Sequence, residues 1–198
     1  MEFSTIISLI AAGIMALSSA NGNLAATRHA SHICVTIPKD NPFSSKPGRF
    51  SIALPPGFSK PKLETSDIGD KGDKVKLYMH TSLGGNGVCL IGYNDLDIKA
   101  INDEMRNTLL DGAKDGALKN MNATVGSEKN ISLDGSPGRS MEFTADNDGQ
   151  AMHGRFDYYL IGNRLYQVGF IGITDGALED TDVLNYFASF KVLPKGKK

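Results

Sequence analysis

Four side chains that can carry charge or exchange protons alternate along one short stretch, and they are His153, Arg155, Asp157 and Tyr159. A histidine near an aspartate is the starting material of general base catalysis. The sequence contains no GxSxG, HExxH or P-loop motif that would supply a nucleophile, a zinc site or a phosphate cradle. Alternating polar residues also give a strand one solvent-wetted face. We therefore expect a candidate binding face, and we expect no enzymatic activity.

A second group of reactive side chains lies near the N-terminus, where His29, His32 and Cys34 occur within six positions. Imidazole and thiolate groups bind zinc and copper, and His80 or His153 could complete such a shell. The spacing matches no defined zinc finger, so a solvated linker is the expected role of this segment. The sequence predicts no cofactor.

Cys34 and Cys89 are the two cysteines of the chain. A disulfide between them would close a loop of about 55 residues and contribute about 4 kcal/mol in the chain-entropy model. Alternatively, Cys89 is a buried thiol, because Val88, Leu90 and Ile91 surround it in the sequence. The spacing of the two residues leaves both possibilities open, because sequence does not place their Cα atoms within bridging distance.

The polar residues of the first group lie on a predicted strand. Between residues 152 and 160 the apolar side chains share one parity and the four polar side chains share the other, which is the period of a half-buried strand. Gly162 and Asn163 then favour a two-residue type II′ turn. The partner strand follows at once, with Tyr166, Val168 and Phe170 on its apolar face.

The rest of the chain predicts more strands than helices. Further strands are expected at 50–54, 75–80, 88–93, 125–133 and 139–145, with turns at 84–87, 135–138 and 146–149 and a loop or loose hairpin tip at 60–74. Residues 33–37 either belong to the linker or add an edge strand. An amphipathic helix begins near Asp97, with Asp95 or Asp97 as its N-cap, and a second helix covers Asp180 to Ser189 and buries Val183, Leu184 and Phe187. In the strand expected at 75–80, the alternation places Val75 inward and His80 outward. This order predicts an α+β fold with a largely antiparallel sheet flanked by helices, an α/β/α sandwich.

The N-terminal segment differs in composition from the rest of the chain. Residues 6–17 are mostly apolar and are followed by small residues at Ser18 and Ala20, which is typical of a signal peptide. We expect a signal peptide at 1–20, a linker at 21–48, one domain at 49–193 and a basic tail at 194–198. After processing, no membrane span should remain, since the apolar run is too short to span a bilayer comfortably.

The charge balance limits the classes of partner. The chain has 21 basic and 22 acidic residues. Such a neutral domain has no general attraction for nucleic acid. We therefore expect no nucleic-acid partner. From the predicted signal peptide, we expect localisation in the periplasm or outside the cell.

Several motifs together resemble the PsbP-like superfamily. They are LLDGAKDG at 109–116, ISLDGSPGR at 131–139, LIGNRLYQV at 160–168, FASF at 187–190, and the opening RFSIALPP at 49–56. The resemblance covers residues 43–193. This group includes the extrinsic photosystem II protein, a Ran-binding import factor and bacterial envelope proteins of the DcrB kind. The resemblance implies a sheet sandwiched by helices and members that mostly bind proteins.

Three functions compete on these observations. The leading hypothesis is an exported, non-enzymatic domain that binds an unidentified protein through a sheet edge or an exposed face. The second is an envelope protein that binds a small ligand or a metal through His29, His32 and Cys34 or through the His153 face. The third is a cytosolic chaperone-like adaptor, which would retain an unprocessed Met1.

Overall fold

A computed structural model describes residues 42–68, 75–84, 87–98, 100–147 and 149–195. The predicted signal peptide, the edge strand at 33–37, and the residues His29, His32 and Cys34 lie outside this part of the chain. So do the last three residues of the basic tail.

The described chain folds into ten strands and two helices. The strands are β1 (Phe43–Ser45), β2 (Phe50–Ile52), β3 (Lys62–Ile68), β4 (Val75–Gly84), β5 (Gly87–Asp95), β6 (Thr124–Leu133), β7 (Ser136–Asn147), β8 (Gln150–Ile161), β9 (Arg164–Gly172) and β10 (Lys191–Val192), and the helices are α1 (Asp103–Met121) and α2 (Thr181–Ala188).

Two antiparallel sheets form the centre of the fold. The large sheet has the strand order β3-β4-β5-β9-β8-β7-β6, and the small sheet has the order β1-β2-β10. Neighbouring strands run antiparallel throughout both sheets. The predicted α+β class with a largely antiparallel sheet and flanking helices is confirmed. The sequence placed the start of the domain at residue 49, but strand β1 lies before that residue.

The tight turns determine the strand register. The β8–β9 hairpin has the predicted two-residue turn, and Gly162 there has a φ of 59°. The β6–β7 hairpin turns at Asp134 and Gly135, whose φ values are 48° and 79°. Two positive φ angles are the signature of a type I′ turn, for which Asp-Gly is a preferred pair. The predicted turn at 135–138 was therefore wrong, and β7 begins at Ser136.

Two other predicted boundaries also differ from the structure. Helix α1 begins at Asp103, and its N-cap is Asn102, whose Oδ1 accepts a hydrogen bond of 2.7 Å from the backbone N–H of Met105. Asp95 ends β5 instead, and its carboxylate binds Arg164. The segment 60–74, predicted as a loop or loose hairpin tip, contains β3, which was missed because an edge strand that buries neither face lacks apolar alternation.

Helix α1 covers one side of the large sheet, which we call the helix face. The helix contributes Leu109, Leu110, Ala113 and Ala117 to the core, and the sheet contributes buried apolar residues from several strands. These sheet residues include Leu77, Leu90, Met141, Phe143 and Phe156. The small side chains of α1 allow its backbone to approach the sheet closely.

The opposite side of the large sheet, which we call the hairpin face, packs against β1, β2, β10 and α2. Its core is rich in aromatic residues, and they include Phe50, Tyr93, Tyr166, Phe170, Tyr186, Phe187 and Phe190. Helix α2 buries Val183, Tyr186 and Phe187. The prediction that Leu184 would be buried was wrong, since it is 46% exposed. Both faces of the central strands of the large sheet are therefore covered.

Two glycines on the helix face make room for aromatic rings. Gly154 lies directly opposite Phe143, and Gly169 lies directly opposite Phe156. A Cβ at either glycine would collide with the ring of its neighbour. The two rings stack on each other with centroids 5.4 Å apart. The glycines thus allow the two rings to lie flat beneath α1.

The described helices include none that combines the length and the apolar character needed to cross a membrane.

Candidate functional site

The four polar residues predicted to form a wetted face on β8 lie on the hairpin face. His153 and Arg155 are partly exposed, but Asp157 and Tyr159 are buried, with Asp157 only 2% exposed. The expectation that all four side chains meet solvent was therefore wrong. The period of the strand was correct, but period alone does not reveal that α2 covers part of this face. A role in partner binding stays a prediction for His153 and Arg155.

Asp157 and Arg155 form a bidentate ion pair. Arg155 donates from Nε to Oδ1 of Asp157 at 2.9 Å and from Nη2 to Oδ2 at 2.8 Å. The guanidinium also lies over the ring of Phe187 in α2, 4.2 Å from its centroid. Because a buried carboxylate is stable only when it is paired, Arg155 satisfies Asp157 and attaches α2 to the sheet.

Tyr159 also contacts the carboxylate of Asp157. Its hydroxyl lies 3.4 Å from Oδ2 of Asp157, and its ring stacks on Phe190 at 5.9 Å. Burial, together with the negative charge of Asp157, raises the pKa of Tyr159. The phenol therefore stays protonated and serves as a hydrogen-bond donor to Asp157.

His153 lies at the outer end of the same row. Its Nε2 is 3.0 Å from Oδ1 of the exposed Asp175, and its strand neighbours are Thr144 on β7 and Gly172 on β9. A general base needs a nucleophile or a substrate proton within hydrogen-bond reach. In the described chain, the imidazole of His153 pairs with a carboxylate and not with a hydroxyl or a thiol. His153 therefore forms a side-chain contact with an exposed aspartate at the surface.

A second polar cluster, which the sequence analysis missed, lies at the margin of the helix face. Arg139 on β7 donates from Nε to Oδ1 of Asp111 on α1 at 2.9 Å, and it also lies 3.5 Å from Glu128 on β6. Lys114 donates to Oε2 of Glu128 at 2.9 Å. Burial disfavours the charge of Lys114, but its hydrogen bond to Glu128 and the nearby carboxylates raise its pKa overall. This network attaches α1 to the outer strands.

The hairpin face also contains one residue whose predicted orientation was wrong, His80, and one ion pair that the sequence analysis did not predict, Arg164 with Asp95. His80 was predicted to face outward and is instead buried. Arg164 forms a bidentate pair with Asp95, with both nitrogen–oxygen distances at 2.6 Å, and it donates from Nη1 to the carbonyl of Pro47. An Arg at the start of one strand and an Asp at the end of its neighbour were the available signal, since antiparallel pairing brings such positions together.

The predicted metal and disulfide residues are only partly described. Within the described ranges, no group of three or more His, Cys, Asp or Glu side chains could hold a metal ion. Cys89 is buried and unpaired in this part of the chain, and burial raises the pKa of its thiol. Pairing with Cys34 involves a residue outside the described chain, so it stays a prediction.

The two edges of the large sheet are β3 and β6. Strand β6 is ten residues long, and most of its side chains are exposed. It pairs with β7 on one side, with a register shift between Val125 and Ser127, and within the described chain nothing pairs with its other side. An edge strand of this kind presents a row of backbone donors and acceptors to solvent. It is the longest such surface in the described residues.

No protein-family model matches the chain, and no curated protein sequence matches it. Several solved structures resemble it in fold. One is the cyanobacterial PsbP of Synechocystis, with a TM-score of 0.48 and 10% identity over 77% of this chain and 91% of that chain.

Two other solved structures show comparable similarity. LpqN of Mycobacterium tuberculosis, described as involved in cell envelope biogenesis, has a TM-score of 0.46 and 13% identity over 73% of this chain and 83% of that chain. A protein of Bacteroides thetaiotaomicron has a TM-score of 0.44 and 14% identity over 76% of this chain and 48% of that chain. A PsbP protein is therefore among the solved structures to which the chain shows this degree of similarity. These similarities concern the arrangement of strands and helices and carry no information about function.

Proposed function

We propose that the chain is an exported, non-enzymatic domain that binds a protein partner by strand addition along β6. The observation that carries this proposal is the exposed, ten-residue edge that β6 presents. In strand addition, an extended segment of the partner pairs with such an edge, and the main-chain hydrogen bonds provide the affinity. The central strands of the sheet behind the edge are rigid, since both of their faces are packed.

The two edges of the sheet differ in how well they are protected against pairing. Charged side chains on an edge discourage strand addition. Strand β3 carries Lys62, Glu64 and Asp67 within seven residues. The charged pair of β6 is Glu128 and Lys129, and Glu128 is already engaged by Lys114 and Arg139. Strand β6 is therefore the edge that favours a partner strand.

The turn between β6 and β7 determines which backbone groups of β6 point outward. Leu133 and Ser136 flank a two-residue turn, so they form a hydrogen-bonded pair across the hairpin. Hydrogen-bonded pairs alternate along an antiparallel ladder. The backbone N–H groups of Asn130 and Ser132 therefore point away from β7, toward an incoming strand.

The proposal is tested with proline variants on this edge. Asn130→Pro and Ser132→Pro each remove an outward N–H and leave the donors that face β7 in place, which an edge strand tolerates. The matched controls are Asn130→Ala and Ser132→Ala, which keep the backbone donor. Each tagged full-length chain is used for affinity capture from an envelope extract of the source cells, followed by mass spectrometry.

The expected result is a protein that the wild-type chain and both alanine variants retain and both proline variants lose. Circular dichroism should show that the proline variants remain folded. If every captured protein is retained equally by the proline and alanine variants, strand addition at β6 is wrong.

Export is supported by the apolar segment at residues 6–17 and the small residues that follow it. Its test is the N-terminal sequence of the chain purified from its source. A mature chain that begins at Asn21 in the envelope fraction is expected. An unprocessed Met1 in the cytosolic fraction would contradict export and would favour the adaptor hypothesis.

A further inference from the structure

His80 lies where the two sheets meet. It is on β4, it projects from the hairpin face, and it is 6% exposed. Its ring centroid is 5.1 Å from that of Phe43 in β1 and 5.5 Å from that of Phe50 in β2, with edge-on geometry in both contacts. The imidazole is therefore enclosed between the β1–β2 hairpin and the large sheet.

The imidazole has no hydrogen-bond partner in the described chain. Both Nδ1 and Nε2 are buried and unpartnered. A neutral polar group in this position is costly, and a charged one is far more costly unless it is paired. Burial lowers the pKa of His80 below the ordinary value of 6.5. The packing of the two sheets thus requires the neutral ring.

The charged groups on the large sheet offer the ring no compensation. On β5 and β9, Asp95 is bound by Arg164, whose guanidinium lies 4.8 Å from the ring centroid of Tyr93. Tyr93 itself lies 6.4 Å from His80, and burial raises its pKa, so it stays neutral. On β3, the residue opposite His80 is Leu63.

The remaining titratable groups near the ring are also unsuited to stabilising an imidazolium. On β4, Tyr78 stacks on Tyr93 at 4.8 Å. Asp67 of β3, on the same face, is 3.7 Å from Lys76. The charged side chains of the β1–β2 loop and of β10 are Lys46, Arg49 and Lys191. These three are cations, which oppose a further positive charge at His80.

We propose that His80 makes the contact between the two sheets pH-sensitive, so that acidification releases the β1–β2 hairpin from the large sheet. In the packed state the ring stays neutral, whereas in the opened state it meets water and takes up a proton near its ordinary pKa. The opened state therefore binds more protons at acidic pH. Linkage then increases the opening equilibrium by up to about tenfold for each pH unit below 6.5.

The hairpin is the part expected to open because its own strands are short. Strands β1 and β2 have three residues each. Beyond its apolar contacts, the hairpin is held by the pairing of β2 with β10 and by hydrogen bonds that Arg164 and Tyr166 donate to the carbonyls of Pro47 and Gly48. The N–H of Leu193 also donates to the carbonyl of Arg49, and the N–H of Ala53 donates to Oγ of Ser189. None of these donors loses its proton at acidic pH, so His80 is the group that acid changes in this contact. Short local elements open at a lower free energy than the whole domain.

The test is amide hydrogen exchange of the full-length chain between about pH 7.5 and pH 5, corrected for the intrinsic pH dependence of exchange. The amides of residues 50–52 are compared with those of β8 and β9 in the wild type, His80→Phe and His80→Gln. His153→Gln is the matched control, since it removes a partly exposed histidine on the same face. In parallel, the proton NMR signal of the His80 ring gives its titration midpoint in the wild type.

The expected result has three parts. Opening of residues 50–52 rises steeply below about pH 6.5 in the wild type and in His153→Gln, and it is nearly pH-independent in both His80 variants. The amides of β8 and β9 respond less. The ring signal titrates below the ordinary histidine range. An ordinary midpoint for His80, or the same pH dependence in wild type and His80 variants, would overturn the proposal, and the NMR measurement decides this even if a variant fails to fold.

Discussion

The two faces of the large sheet are buried to a similar extent but by different chemistry. The buried layer of the helix face is mostly apolar beneath α1, with the amide of Gln167 and the hydroxyl of Tyr158 as neutral polar groups, and its ion pairs lie at the margin around Arg139. The hairpin face has ionisable groups within the packed layer, namely His80, Asp157 with Arg155, and Arg164, whose partner Asp95 is exposed. Apolar burial depends little on pH, whereas paired and unpaired ionisable groups respond to it. The same sheet thus has one face whose packing is insensitive to protonation and one whose packing depends on it.

The largest expected effect is the loss of an aromatic ring from the helix face. Phe156→Ala removes a fully buried side chain that fills the space above Gly169. We expect a loss of about 3–5 kcal/mol in the free energy of unfolding, from lost burial and the cavity left behind. Urea unfolding followed by circular dichroism measures it. The control is Leu83→Ala, at a half-exposed position, where the loss should be much smaller. A Phe156→Ala loss no larger than that of the control would contradict the assignment of Phe156 to the core.

A smaller effect is expected from breaking the ion pair of the hairpin face. Arg155→Met keeps the side-chain length but leaves the Asp157 carboxylate buried and unpaired. The expected cost is about 3 kcal/mol in the free energy of unfolding at neutral pH. Lys76→Met is the matched control, because its pair with Asp67 is exposed and should contribute about 0–1 kcal/mol.

The same ion pair gives a second readout. Adding Asp157→Asn to Arg155→Met removes the unpaired charge and should recover part of the lost stability. If the double variant is less stable than Arg155→Met alone, the loss does not come from an unpaired carboxylate. The packing of the hairpin face would then not depend on charge pairing at Asp157.

The smallest effect compares two fully buried tyrosine hydroxyls, one on each face. The hydroxyl of Tyr186 in α2 lies 3.0 Å from the carbonyl of Leu90 and 3.2 Å from that of Gly169. That of Tyr158, on the helix face, has no partner in the described chain. Tyr186→Phe should cost about 1 kcal/mol, and Tyr158→Phe should be neutral or slightly stabilising.

Thermal unfolding of the two phenylalanine variants, measured side by side, checks this contrast. Since both substitutions remove a single oxygen from a buried ring, differences in volume cancel. Equal destabilisation of the two variants would show that the Tyr158 hydroxyl is also satisfied in solution.

Much of the fold was predictable from local signals. The alternation along β8, the Gly-Asn turn after it and the position of α2 each depend on residues close in sequence, so a single pass along the chain finds them. The N-cap of α2 is also local, since Asp180 accepts a hydrogen bond from the backbone N–H of Asp182. The Asp134-Gly135 turn was equally available from the dipeptide and was placed too late in the chain.

The candidate site was less predictable. Strand β3 has no apolar alternation, and it forms because β4 offers it a paired backbone edge. The edge position of β6 follows from the order of strands in the sheet, which local pattern does not encode. The burial of His80 follows from β1 and β2, which lie far from it in the sequence.

The sequence by itself determined the period of the strands, the residues that turn the chain and the balance of charge, because each of these depends on side chains within a few positions of one another. Only the tertiary structure decided which polar side chains meet water. Arg155 and Asp157 share a face with His153, yet the distant helix α2 covers the pair and leaves His153 near the surface. Solvent exposure is a property of what packs above a residue, and long-range packing brings that partner from another part of the chain.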